Sequence, residues 1–284
     1  MKISGSLRVY RSFPACVLRV RGDDAPSFLQ GQFSKDLRGL AVEEARYGLW
    51  LTVKGKVLAD SYIVKSDAAS FWVVSLYGSA AVIRQRLEEF IIADDVSVED
   101  ETPLWALATV VGDHAAGYCF DNNIGVQRLA YGYREDRSDW LFLKGSEPKA
   151  LGTLPSLDQR AFEALRIDAG MLEIPKDLGP GELPHEGGLE GFAVSYDKGC
   201  YLGQEIMARL KTRGKVRRRL VHVTGQGPAP ADTSPVLSNG KPIGELRSTA
   251  STGSGFAGLA LLPADVAAGQ SFSVGSSGGT IVVG

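Results

Sequence analysis

Cysteine is scarce in this sequence, with only three residues, at positions 16, 119 and 200. So few and so scattered, they exclude a disulfide framework. With no CxxC pair, no structural zinc site is expected either. The expectation is a cytoplasmic protein with reduced thiols. Long apolar runs are also missing: none approaches the roughly 18 residues that cross a bilayer. From Met1 to Gly22 charged and apolar residues intermingle, with no signal-peptide core. A membrane is therefore not expected as a partner. Histidine is limited to His114, His185 and His222. Sequence order alone does not exclude a cysteine hydrolase pairing one of them with Cys200. No hydrolase signature surrounds Cys200, so a structural or surface role is the simpler reading of each histidine.

What remains is an ordinary globular composition, 44% hydrophobic and 23% charged. The 284 residues suffice for a sizeable core and for one to three domains. The net charge of −2 hides one segment: Arg209, Lys211, Arg213, Lys215, Arg217, Arg218 and Arg219 follow one another with no acid between them. An acidic protein with one basic stripe can select a local anion.

Strands are expected at Cys16–Gly22, Tyr47–Val53, Val57–Val64, Ser70–Leu76, Leu104–Val111, Val126–Tyr133 and Trp140–Leu143, with Lys54-Gly55-Lys56 as a hairpin turn. Asp23 or Asp24, with Pro26 in the first turn, opens a helix carrying Phe28 and Leu29. Ser79 caps another, with Ile83, Leu87 and Phe90 or Ile91 at helical spacing. Ser156 and Gln159 form a capping-box signature. The helix behind it puts Leu157, Ala161, Leu165 and Asp168 on one face, leaves Phe162 beside that face, and stops at Gly170. A Gly- and Pro-rich loop over 171–191 follows. From Val216 onward short β runs alternate with turns, which predicts a small barrel or sandwich. The fold class is α+β, with boundaries at 1–215 and 216–284. Gly253-Ser-Gly-Phe-Ala-Gly258 matches GxGxxG in letters only. No apolar strand precedes it and no acid follows about 20 residues on, so it reads as a turn between strands.

The informative segment is Lys198-Gly199-Cys200-Tyr201-Leu202-Gly203-Gln204-Glu205. It reads as the end of a strand from Phe192 and the start of a helix with Ile206 and Leu210 on its core face. Glu205 stands four residues before Arg209, the favourable order for a helical pair. Cys200 then precedes a positive helix end and lies two residues from Lys198, both of which favour thiolate. The competing reading is a buried, inert cysteine.

This segment resembles the KGCYxGQE motif of the YgfZ family. Other stretches agree in order: Phe28-Leu29-Gln30-Gly31-Gln32 with Asp36, Lys54-Gly55-Lys56-Val57 with Asp60, Leu165 to Gly170, Pro184-His185-Glu186, then Met207-Ala208-Arg209 and Arg213-Gly214. The resemblance implies a cloverleaf like that of the glycine-cleavage T-protein (aminomethyltransferase): two α+β lobes and a C-terminal β-barrel around a channel for tetrahydrofolate. It also implies a link to iron–sulfur protein maturation and tRNA modification.

On that resemblance Phe162 would stack on the pterin. Lys198, Tyr201, Gln204 and Glu205 would belong to the cofactor site, and Arg209 and Arg213 would hold a mono- or polyglutamyl tail. Cys200 and Asp60 are the catalytic candidates, and no metal is expected to be held by this chain alone. Two positions depart from the family pattern. Ala15 stands where an aromatic is expected, and Ala59-Asp60 stands where T-proteins tend to carry paired aspartates. The leading expectation is a tetrahydrofolate-binding accessory protein whose partners are folate and iron–sulfur clients or assembly factors. The alternatives are a folate-dependent one-carbon transferase and an RNA-binding module. Direct nucleic-acid binding is not expected, because no aromatics interleave with the basic stripe.

Overall fold

The computed structural model describes residues 3–119, 126–129, 134–275 and 279–284. Residues 130–133 of the strand expected at Val126–Tyr133, and the side chain of Arg213, lie outside the described residues. The chain begins with β1 (Arg8–Ser12), β2 (Cys16–Arg21), α1 (Ala25–Gln32), β3 (Ala45–Leu51), β4 (Val57–Asp67), β5 (Ser70–Ser75) and α2 (Ala80–Glu88). It continues with β6 (Ser97–Asp100), β7 (Trp105–Val111), β8 (Val126–Leu129), β9 (Arg137–Leu143), β10 (Ser156–Leu157), α3 (Gln159–Asp168), α4 (Glu190–Ala193) and α5 (Gln204–Arg213). The last stretch is β11 (Arg218–Gly225), β12 (Pro235–Ser238), β13 (Lys241–Ser251), β14 (Phe256–Pro263), β15 (Ser271–Val274) and β16 (Gly279–Val283).

These strands form a sheet in the order β3-β4-β5-β2-β6, a second in the order β10-β1-β7-β9-β8, and a closed barrel, β11-β14-β13-β12-β15-β16. The expected α+β class and C-terminal barrel are both present. Of the GxGxxG letters, Gly253 to Gly255 form the β13–β14 turn, and Phe256 to Gly258 begin β14. Among the described residues no helix is long and apolar enough to cross a membrane.

Apart from its exposed edge strand β6, both faces of the β3-β4-β5-β2-β6 sheet are buried, which is why the other strands read as nearly continuous apolar runs. Leu18, Val20, Ile63 and Val73 pack under α1 and α2, whose Phe28, Leu29, Ile83 and Leu87 complete that layer. Val17, Leu49, Tyr62, Val64 and Val74 join a larger core with Trp105, Leu107 and Leu141 of the other sheet. Between β1 and β2 the chain changes sheets through Phe13-Pro14-Ala15.

Three local expectations are corrected. Asp158, not Ser156, caps α3, its carboxylate accepting from the Ala161 amide, while Ser156 pairs with Val9 as β10. A residue hydrogen-bonded into a ladder is not free to cap. The buried face of α3 is Phe162, Arg166 and Ile167, whereas Ala161 and Asp168 are exposed. The sequence pattern misled because the buried arginine reads as polar. Finally, residues 192–199 form no strand. Their polar groups turn to the loop after α1: the Ser195 amide donates to the Ser34 carbonyl, and the Ser195 hydroxyl accepts from the Asp36 amide.

Candidate functional site

Three of the segments carrying the resemblance meet around one loop: the end of α1, the β3–β4 turn, and Lys198 to Glu205 at the start of α5. Gly203 takes φ +84 as the N-cap of α5, and a Cβ there would lie 2.8 Å from the Thr52 carbonyl oxygen and 3.0 Å from Gly55 Cα. Gly55 takes φ +68 in the β3–β4 turn, and a Cβ there would meet Ile206 and Met207 of α5. Each glycine therefore lets the other element approach. Met207 is fully buried, and Ile206 and Leu210 pack partly beside it. Gln204 is half-buried in the first turn, while Glu205 and Arg209 are exposed. Among the described residues these two form no ion pair, so the expected helical pair is absent.

Lys198 is 5% exposed, and its ammonium donates to the carbonyls of Gln30 (2.7 Å), Phe33 (2.6 Å) and Lys35 (3.0 Å). It thus satisfies acceptors that the end of α1 leaves open. Burial, with a smaller push from Arg38 and against the opposing charge of Asp36, pulls its pKa down to about 8, and hydrogen bonds from the charged form to the three carbonyls oppose that pull. Gln30 also donates to Asp36 and accepts from the Leu37 amide. Tyr201 is buried, its ring 5.1 Å from the Lys198 ammonium. Between these two anchored side chains, Cys200 is exposed. Cys200 stands three positions before Gly203, the N-cap of α5, and the Lys198 charge is committed to the end of α1.

Cys16, by contrast, is fully buried on β2, and burial pushes its thiol up to about 12. Iodoacetamide should therefore label Cys200 in the native protein at least about tenfold faster than Cys16, because thiolate and access both count. Comparable rates would contradict this placement.

A cavity of about 220 Å³ lies elsewhere, lined by Tyr10, Phe13, Leu76, Tyr77, Thr109, Phe162, Glu163 and Glu173, among others. Of the candidate site residues named from sequence whose side chains are described, only Phe162 lines it. Phe162 is 4% exposed and stacks on Tyr10 with centroids 4.2 Å apart and planes 8° from parallel. It is therefore a core residue with an edge on the cavity, a correction to the reading that left it beside the core face. Tyr10, Tyr77 and the two glutamates carried no motif, and only the topology brings them together. Burial raises the pKa of Tyr77 to about 12 and also raises that of Glu173.

Asp60 is buried on β4 and does not line this cavity. It accepts hydrogen bonds from Tyr47 (2.8 Å) and Ser75 (3.3 Å), and burial raises its pKa to about 6. The folded state therefore holds the proton more tightly than the unfolded chain, whose aspartates titrate near 4. Stability from this group is present below pH ~4 and is lost as pH rises to ~6. Asp60→Asn should flatten that slope and raise stability at pH 7 by roughly 1–2 kcal/mol, measured as urea midpoints at pH 4.5 and 7. A lower midpoint at pH 7 would show that the ionised carboxylate is needed for the fold.

Residues 16–118 match the profile of the GCVT N-terminal domain, and residues 217–283 match that of the CAF17 C-terminal beta-barrel domain. The mouse protein named iron-sulfur cluster assembly factor IBA57, mitochondrial, is 31% identical, over 89% of this chain and 76% of that protein. The tRNA-modifying protein YgfZ of Aliivibrio fischeri (strain ATCC 700601 / ES114) is 26% identical, over 72% of this chain and 67% of its own. The fold is that of glycine cleavage system aminomethyltransferase T from Bartonella henselae, with a TM-score of 0.79 at 18% identity, covering 99% of this chain and 85% of that one. With its three motif segments converging on one loop, ahead of a closed barrel, this chain belongs to the family of IBA57 and YgfZ.

Proposed function

We propose that this chain is a cytoplasmic accessory protein of iron–sulfur cluster assembly that serves client enzymes, tRNA-modifying ones included. The observation that carries this reading is Cys200: an exposed thiol held between the buried Lys198 and Tyr201 on a loop wedged against α1 and the β3–β4 turn. A thiol so placed is presented to a partner rather than to the protein's own core. Among the described residues no group of three or more His, Cys, Asp or Glu side chains could hold a metal ion. A cluster in transit would therefore take its remaining thiolates from the partner.

The family's folate fits the cavity at one end. Its volume suits a flat bicyclic head rather than a whole drug-sized ligand, which usually needs ~300 Å³ or more. Glu173 and Glu163 could accept from the amino and ring N–H groups of a pterin. Leu76, the edge of Phe162 and the Tyr77 ring would enclose its faces. Bound there, the folate would supply a one-carbon carrier and a reducible ring.

The test is reconstitution of a [4Fe–4S] apo-enzyme from a [2Fe–2S] donor, with a dithiol reductant supplying the two electrons that joining two such clusters requires, with and without this chain. The wild type should raise the recovered activity, and Cys200→Ser should remove that gain. A fully effective Cys200→Ser variant would defeat the reading.

A further inference from the structure

A second cavity, of about 690 Å³, is lined by the turn Pro184–Gly187, the start of α4, the link from α5 to β11 and the residues after β14. Two side-chain atoms of its lining residues are buried and bond to nothing among the described residues: His185 Nδ1 and Glu190 Oε2. The other ring nitrogen of His185, Nε2, lies 3.2 Å from the Tyr196 hydroxyl. Burial, with the charge of Glu190 added, raises the pKa of Tyr196, so the phenol keeps its proton and donates to Nε2. Burial lowers that of His185, against the charge of Glu190, so the ring is neutral near pH 7 and carries its own proton on Nδ1. The cavity thus holds an unpaired N–H donor and an unpaired carboxylate oxygen within each other's electrostatic reach. The link from α5 to β11 adds cations. Lys215 and Arg217 are exposed, line the cavity and form no ion pair among the described residues. Their neighbour Arg218 is engaged instead by Glu182 (3.4 Å) and Glu186 (3.3 Å). The Ala264 amide donates to the Arg217 carbonyl (2.9 Å), which ties the link to the barrel. Asp265, also exposed, completes the charged lining.

We infer that this cavity binds a guanine nucleotide, with Glu190 and His185 on the base, Asp265 on the ribose hydroxyls and Lys215 and Arg217 on the phosphate. Guanine presents O6, N1–H and N2–H2 in order along one edge. His185 Nδ1–H donates to O6, and the Glu190 carboxylate accepts from N1–H and N2–H2, which satisfies both orphaned atoms. Adenine sets the lone pair of its N1 against that carboxylate, so the same pair rejects it. Val216 lines the cavity as an apolar contact for the base. The volume lies within the range usual for small-ligand sites, about 300–1,000 Å³. The two cations are open to water, so their hold on the phosphate weakens as salt rises. The chemistry is the same for a free nucleotide and for an unstacked guanosine of a single RNA strand. It depends neither on the Cys200 thiol nor on the folate reading of the smaller cavity.

Calorimetric titrations of the full chain with GMP, AMP and guanosine, and with the RNA pentamers UUGUU and UUAUU, test this. GMP should bind about tenfold more tightly than AMP. Guanosine, which lacks the phosphate, should bind about fivefold more weakly than GMP at low salt. Changing Lys215 and Arg217 together to Gln should bring GMP down to the affinity of guanosine and leave guanosine itself unchanged. Glu190→Gln should remove the preference for GMP over AMP. None of the three side chains has a partner to lose, so thermal midpoints should match the wild type. A preference for GMP with none for UUGUU over UUAUU identifies a free nucleotide as the ligand. A preference for UUGUU, with or without binding of GMP, identifies an RNA guanosine. Equal binding of GMP and AMP, or a preference for GMP that survives Glu190→Gln, would overturn the assignment. So would binding of neither GMP nor UUGUU, which leaves water as the partner of both orphaned atoms.

Discussion

Lys198→Met is expected to cost the fold about 3 kcal/mol, read as a lower urea midpoint with an unchanged slope. The substitution keeps an unbranched apolar stem of similar volume but removes three hydrogen bonds to the carbonyls of Gln30, Phe33 and Lys35. Each buried acceptor left without a donor costs about 1–3 kcal/mol, and relief of the buried ammonium's desolvation returns part of the sum. The motif lysine is thus read as a clamp between α1 and the Cys200 loop. Unchanged stability with slower Cys200 alkylation would favour the opposite reading, in which the ammonium serves the thiol.

The sequence carried the positions of this clamp but not its wiring. Lys198, Gln30 and the glycines at 55 and 203 are visible as separate motifs through the family resemblance, and the two glycines also sit at positive φ. That they touch one another depends on how α5 lies against the β3–β4 turn, and no local spacing records that. The reading of β-prone apolar runs placed β2, β5 and β7 to within a residue or two, since both faces of those strands pack into cores. It failed at 192–199, where Phe192, Val194 and Tyr196 alternate as a strand would. There the backbone finds partners in the loop after α1 and in no neighbouring strand. The cavity was the least legible part. Tyr10, Tyr77 and Glu173 are separated by whole elements, and nothing nearby marks them as chemistry rather than core.

Arg166→Met should be the more damaging change, costing about 3–5 kcal/mol, because it strips a buried carboxylate of its cation. Arg166 has no exposed surface. Its guanidinium donates to Glu163 on its own helix, to the Met171 carbonyl (2.7 Å), to Asp177 (2.5 Å) and to the Ser248 hydroxyl of β13 (3.0 Å). Asp177 is equally buried and also accepts from Ser248 (2.5 Å) and from the Glu173 amide (2.7 Å). One cation therefore ties α3, the loop that follows it and the barrel together. Without it Asp177 must stay charged and unpaired or take up a proton. The double variant Arg166→Met with Asp177→Leu removes both charges and should recover part of the loss, a coupling that a double-mutant cycle measures directly. Because α3 also carries Phe162 and Glu163 to the cavity, the single variant should lose pterin affinity along with stability, and the double variant should regain less of the affinity. A single-variant loss under about 1 kcal/mol, or strict additivity in the cycle, would mean that the barrel is held to α3 by apolar packing instead.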